Sequence, residues 1–122
     1  MNVTQKRILV VDDEPMVAKT LGRVLRMHEI TITEKVDHAL DLLEQRPFDI
    51  VFCDLMMPGQ SGMDFFQEVK ERYPEKLSQI VFMTGGAYTI KAQEFMGRVP
   101  NPVVAKPFDV HEIRELVKQT SA

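Results

Sequence analysis

Five times along this chain a short apolar run gives way to a segment with helical spacing, and that alternation limits the fold more than any other feature. The first run, RILVVD (7–12), is continuous and β-branched, the pattern of a strand buried on both faces. From Pro15, the apolar residues Val17, Leu21, Val24 and Leu25 recur at one-turn and two-turn intervals, and Pro15 suits a first helical turn. ITITEKV (30–36) alternates as a strand with one exposed face, and DHALDLLEQ (37–45) follows as a helix with Asp37 as its cap and Pro47 closing it. FDIVFCD (48–54) is a third strand. After the loop LMMPGQ comes SGMDFFQEVKERY (61–73), where Ser61 and Asp64 have capping-box spacing. QIVFMT (79–84) and PVVAK (102–106) are the last two strands. A short helix from about Tyr88 to Met96, ended by Gly97, separates them. The final helix (109–119) is capped by Asp109 and buried through Val110, Ile113, Leu116 and Val117.

Strict alternation of this kind predicts a parallel sheet with helices on both faces, since parallel neighbours require crossovers. With right-handed connections and 122 residues, the fold class is α/β: a doubly wound five-stranded parallel sheet, flavodoxin-like (βα)5, strand order 2-1-3-4-5. The whole chain, 1–122, reads as one domain.

In open sheets of this type ligands bind beyond the carboxyl ends of the strands, so the residues that end them matter most. Strand one ends at Asp12 and Asp13, strand three at Asp54, strand four at Thr84 and strand five at Lys106. Adjacent carboxylates in a cleft repel one another and call for a divalent cation. An all-oxygen set without Cys or His suits Mg²⁺, which in turn attracts phosphoryl oxygens that Lys106 and Thr84 can help to hold. A carboxylate can itself accept a phosphoryl group. Asp54 stands alone beside a loop containing Pro58, Gly59 and Gly62, which predicts an openly presented oxygen.

Composition narrows the classes further. The chain is 44% hydrophobic and 27% charged with a formal net charge of −3, which gives this domain no electrostatic reason to bind nucleic acid. No apolar run approaches the ~20 residues of a membrane span, and the first residues lack a secretory signal. A lone Cys53 fits a reducing compartment, so a cytoplasmic domain is expected.

The motifs ILVVDDE, DIVFCDLMMPGQSG, VFMTG and AKPF, in this order and spacing, resemble those of the receiver domain of bacterial two-component response regulators over essentially the whole chain. The resemblance implies that Asp54 accepts a phosphoryl group from a phosphohistidine on a histidine kinase or a histidine phosphotransfer domain. It implies Mg²⁺ held directly by Asp13, Asp54 and the backbone carbonyl of Met56, with Asp12 acting through a water. Lys106 would pair with Asp54 and later with the phosphoryl group, Thr84 would donate its hydroxyl to a phosphoryl oxygen, and the Lys106–Pro107 peptide would be cis. Such a domain modifies itself and is not a turnover enzyme. An output domain or kinase in the same longer chain is a further implied partner.

Each residue also has a plainer reading. Asp12 and Asp13 could cap the first helix, Asp54 could form a turn, Thr84 could end a strand, and Lys106 could be a solvated tip. Their coincidence at one sheet edge favours the functional reading. Glu14 is read as an ordinary helix-start acid, Cys53 as a buried inert thiol, and His28, His38 and His111 as surface residues. The chain departs from the family at Val103, where receivers usually carry Tyr or Phe, and at Met56 and Gly86, which flank the path of a hydrolytic water and carry no polar group there. Val103 sustains an alternative: a receiver-fold interaction module in which phosphorylation is vestigial. Phosphatases of the haloacid dehalogenase type are disfavoured because, although Glu14 stands two residues beyond Asp12, their usual Asp-x-Asp followed by a threonine is missing. Flavodoxins are disfavoured because DDEPM, in place of a Ser/Thr-rich loop, would repel a phosphate unless metal intervened.

Overall fold

The computed structural model describes residues 5–57, 59–85 and 89–120. Five parallel strands form one sheet in the order β2-β1-β3-β4-β5. They are β1 (Arg7–Val11), β2 (Glu29–Thr33), β3 (Ile50–Asp54), β4 (Ile80–Thr84) and β5 (Val103–Ala105). The helices are α1 (Pro15–Val24), α2 (Val36–Gln45), α3 (Gly62–Arg72), α4 (Ile90–Arg98) and α5 (Val110–Gln119), with a 3₁₀ segment over Pro74–Gln79.

Strand periodicity divides the core in two. Leu9 and Val11 of β1, with Val51 and Cys53 of β3, pack under α2, α3 and α4. Ile8 and Val10, with Ile50 and Phe52, pack under α1 and α5 through Val17, Leu21, Ile113 and Val117. Both faces of the central strands are therefore covered, which explains their continuous apolar sequence.

Several boundaries differ from the sequence reading. β2 stops at Thr33, where the Thr33 Oγ1 accepts the Lys35 N–H at 3.3 Å and turns the chain, so Val36 begins α2 as a buried residue. Lys35, not Asp37, is the N-cap, and Asp37 lies in the first turn, where its charge complements the helix dipole. α4 begins at Ile90 because the Thr89 hydroxyl accepts the Ala92 N–H at 3.1 Å; it runs through Gly97 to Arg98. The expected start at Tyr88 lies outside the described residues. β1, β3 and β5 are each trimmed by one or two residues relative to the reading from sequence. On α5, Ile113 and Val117 are buried, Leu116 is half-buried and Val110 is exposed. Ser61 does cap α3 through a full capping box with Asp64, and Asp109 caps α5 by accepting from the His111 and Glu112 N–H groups.

Gly62 positions the site most tightly. It is the buried first residue of α3, and a Cβ there would stand 2.7 Å from the Asp54 carbonyl oxygen and 2.9 Å from the Leu55 Cα. Both obstacles are backbone, so no rotamer change relieves them. Gly62 N–H also donates to the Leu55 carbonyl at 3.1 Å, which draws α3 against the end of β3. Gly62→Ala is expected to destabilise the domain by about 1–3 kcal/mol through overpacking. Urea unfolding measures this, and an unchanged midpoint would show that the approach can relax.

Candidate functional site

The strand ends place Asp12, Asp13, Asp54, Thr84 and Lys106 at one edge of the sheet. Asp12 follows β1 and continues its pairing by one residue, its N–H donating to the Thr33 carbonyl at 3.0 Å. Asp54 is the last residue of β3, in register with Met83 of β4, and the Leu55 N–H continues that ladder to the Met83 carbonyl at 2.9 Å. Thr84 ends β4, and its carbonyl accepts the Lys106 N–H at 2.8 Å. The Lys106–Pro107 peptide is cis.

Lys106 binds these pieces together. Its Nζ lies 3.0 Å from Asp12 Oδ2, 3.1 Å from Asp54 Oδ2 and 3.0 Å from Glu14 Oε1. Burial alone would depress the ammonium, but the adjacent carboxylates of Asp12, Glu14 and Asp54 raise it above its ordinary value, so it stays charged. Glu14 is thus more than a helix-start acid. It is the N-cap of α1 by position yet caps nothing with its side chain, which reaches across to Lys106 instead. Sequence reasoning missed that contact because it joins residues 92 apart, although the shared sheet edge could have suggested it.

Asp54 is only 3% exposed, which corrects the expectation of an open presentation. Its Oδ1 accepts the Met56 N–H at 3.0 Å and its Oδ2 accepts from Lys106. These contacts aim the carboxylate along a fixed direction. Pro58, in the loop beyond, and Gly86 lie outside the described residues, whereas Met56 is exposed at the rim.

Asp12 is almost fully buried, and its Oδ1 accepts the Glu14 N–H at 2.8 Å. Burial pushes its carboxyl above the ordinary carboxylate range, opposed by the Glu14 N–H and Lys106 and assisted by the charge of Asp54. Its Oδ2 is close to Lys106 Nζ but lacks a well-directed hydrogen bond, and the buried Thr84 Oγ1 has no partner among the described residues. Buried polar atoms left in this way are costly unless something else meets them.

Asp12, Asp13 and Asp54 each offer one carboxylate oxygen, and these oxygens lie within 4.8 Å of one another. A hard, oxygen-only set of that size, with an incompletely satisfied Asp12 oxygen, fits Mg²⁺. The remaining candidates stay apart from it. Cys53 is fully buried on the α2–α4 side of the sheet, its thiol pushed well up by burial and then by the nearby acids. His28 is half-buried rather than a surface residue, its Nδ1 accepting the Lys6 N–H at 3.0 Å. His38 contacts the Thr33 hydroxyl at 2.8 Å, and His111 is exposed.

The raised Asp12 carboxyl gives metal-free stability a definite pH dependence. Because the folded state binds this proton more tightly than the unfolded chain does, the contribution of Asp12 is fully present below its ordinary pKa of 3.8. It is lost as pH rises from there through the raised value. In chelator, Asp12→Asn is therefore expected to flatten the decline in stability over that window. Parallel denaturant titrations across pH measure the difference, and superimposable pH profiles would contradict it.

Comparison with known proteins converges on one family. Residues 8–118 match the model of the response regulator receiver domain. The chain is 38% identical over 76 residues to the hydrogenase transcriptional regulatory protein HoxA of Cupriavidus necator, covering 62% of this chain and 16% of that protein. It is 30% identical over 123 residues to the response regulator protein PilR of Pseudomonas aeruginosa, covering 94% of this chain and 26% of that one. The chain thus spans about a quarter or less of the length of these relatives. In fold it matches the Vibrio cholerae chemotaxis protein CheY4, with a TM-score of 0.80, 18% identity, and coverage of 97% of this chain and 100% of that one. Among the described residues no helix is long and apolar enough to cross a membrane. The chain belongs to the response regulator receiver domain family.

Proposed function

We propose that Asp54 is the phosphoacceptor of a signalling switch, charged from a phosphohistidine on a histidine kinase or a histidine phosphotransfer domain. The observation that carries this reading is the setting of Asp54. Its buried carboxylate is held by the Met56 N–H and Lys106, and the same edge holds a Thr84 hydroxyl with no partner among the described residues.

A carboxylate oxygen of Asp54 attacks phosphorus as the phosphorus–nitrogen bond to the donor imidazole breaks, the electron pair staying on nitrogen. The product is an acyl phosphate on Asp54. The chain contributes positioning and charge compensation, which is most of what phosphoryl transfer asks of a protein. Asp13, Asp54 and the Met56 carbonyl would hold Mg²⁺ directly and Asp12 through a water. When bound, the ion neutralises charge developing on the phosphoryl oxygens. Lys106 exchanges part of its contact with Asp54 for a phosphoryl oxygen. Thr84 donates its hydroxyl to another, which draws the end of β4 toward the phosphoryl group. Since the acceptor is the protein's own side chain, the domain is a switch and not a turnover enzyme.

This chemistry belongs to a single receiver domain spanning 1–122, working in the cytoplasm, with an output domain or kinase joined to it in a longer chain. The length of HoxA and PilR beyond the matched region supports such an arrangement. A second reading, an interaction module with vestigial phosphorylation, is favoured by one observation. Val103, in register with Phe82, is a half-buried aliphatic residue packed on the α2–α4 core, with no ring to change position.

One experiment separates the two readings. Incubation with acetyl phosphate or phosphoramidate and Mg²⁺ is expected to add about 80 Da, one phosphoryl group, by intact mass. The adduct should be absent in Asp54→Asn and in chelator. An unmodified wild-type protein under these conditions would favour the interaction module.

A further inference from the structure

Away from this edge, α3 and α4 leave a groove of about 640 Å³ between them. Its apolar surface comes from Met63 and Phe66 of α3, Phe95 of α4, and Leu77 and Val99 beside them. The Phe66 and Phe95 rings meet edge to face with centroids 5.3 Å apart, and each also packs against Phe82 of β4, so the base is rigid.

The walls are cationic. Lys70, Lys91 and Arg98 line the groove, are exposed, and form no ion pair or side-chain hydrogen bond among the described residues. Among the described residues Asp64 is the only acid lining it, and its carboxylate is occupied by the Ser61 N–H at 2.9 Å and the Ser61 hydroxyl at 3.2 Å. A chain of net charge −3 therefore presents a locally positive, apolar-based groove.

Spacing narrows the occupant. Lys91 and Arg98 are seven residues apart on one helix, or roughly 10 Å along its axis, two turns. A small anion cannot meet both. The site lies between two helices, not along an unpaired strand, which suits a helix laid in a groove over an added strand. We propose that the α3–α4 groove docks an acidic amphipathic helix of a partner protein. Its apolar stripe would lie on Phe66 and Phe95, and acids two turns apart on it would meet Lys91 and Arg98. The proposal does not rest on the reading of Asp54 as a phosphoacceptor.

The test uses the full chain and two designed helical peptides that share a four-leucine stripe. One carries Glu pairs flanking the stripe two turns apart; the other carries Lys at the same positions. Fluorescence anisotropy is expected to show binding of the Glu peptide at least about tenfold tighter than the Lys peptide, with the preference weakening as salt rises. The double variant Lys91→Glu/Arg98→Glu changes only exposed side chains and should reverse the preference, while its circular dichroism stays that of wild type. A Glu peptide that binds no better than the Lys peptide, or a preference unmoved by the double variant, would overturn the proposal. So would self-association of the wild-type chain abolished by the same substitutions, since the groove would then serve a second copy. Phe66→Ala provides a second arm: it should weaken the Glu peptide with the preference between peptides retained, and unaltered affinity in the folded variant would also count against the docking mode.

Discussion

A single ammonium against a surplus of carboxylates organises this molecule. Lys106 touches Asp12, Asp54 and Glu14 at once, and those groups come from β1, β3 and the start of α1. The contacts are not equivalent. Asp12 and Asp54 are buried, so their pairing with Lys106 offsets a real desolvation cost. The side chain of Glu14 is 59% exposed, and an ion pair in that setting is worth little, about 1 kcal/mol or less. Lys106 is therefore held firmly toward the interior and loosely toward solvent.

That charge arrangement depends on backbone register. The last paired residue of β3 is Asp54, opposite Met83, and β4 continues one residue further to Thr84, which is in register with Ala105 and whose carbonyl accepts the Lys106 N–H. A one-residue slip would turn the Asp54 side chain to the other face of the sheet. Two features prevent it: continuous apolar cover on both faces of β3, and the close seat of Gly62 under the Asp54 carbonyl. The absence of a side chain at Gly62 contributes as much to the geometry of the site as the carboxylates do.

The sheet order and the convergence of Asp12, Asp13, Asp54, Thr84 and Lys106 were legible because both follow from strand ends, and strand ends follow from apolar runs and the acids or loops that stop them. Caps were legible where side-chain chemistry sets them, as at Ser61 and Asp109. They were not legible at Lys35, where the turn is made by Thr33 and the burial of Val36 decides where α2 begins. Gly97 read as a stop signal, yet it lies inside α4 without a positive φ, because an exposed helical glycine is tolerated when the residues beyond it still pair. The Glu14–Lys106 contact was hidden because it joins residues 92 apart, and the tight approach of Gly62 because it depends on how closely α3 seats against the end of β3, which residue types do not encode.

The charge balance also says why this edge is suited to switching. Asp12, Asp13, Glu14 and Asp54 face one lysine, so the site carries more negative charge than Lys106 can neutralise. The Asp12 carboxyl is raised chiefly by burial, and the charge of Asp54 adds to that shift. A phosphoryl group on Asp54 would add further negative charge, about −1.5 to −2 near neutral pH, to a place already short of cations. Lys106 would then have to share its contacts with that group as well as with the carboxylates. The most exposed of the Lys106 contacts is that with Glu14 at the N-cap of α1, and the Thr84 hydroxyl at the end of β4 has no partner among the described residues. Charge added at Asp54 would therefore bear on two elements that adjoin Lys106, the start of α1 through Glu14 and the end of β4 through Thr84.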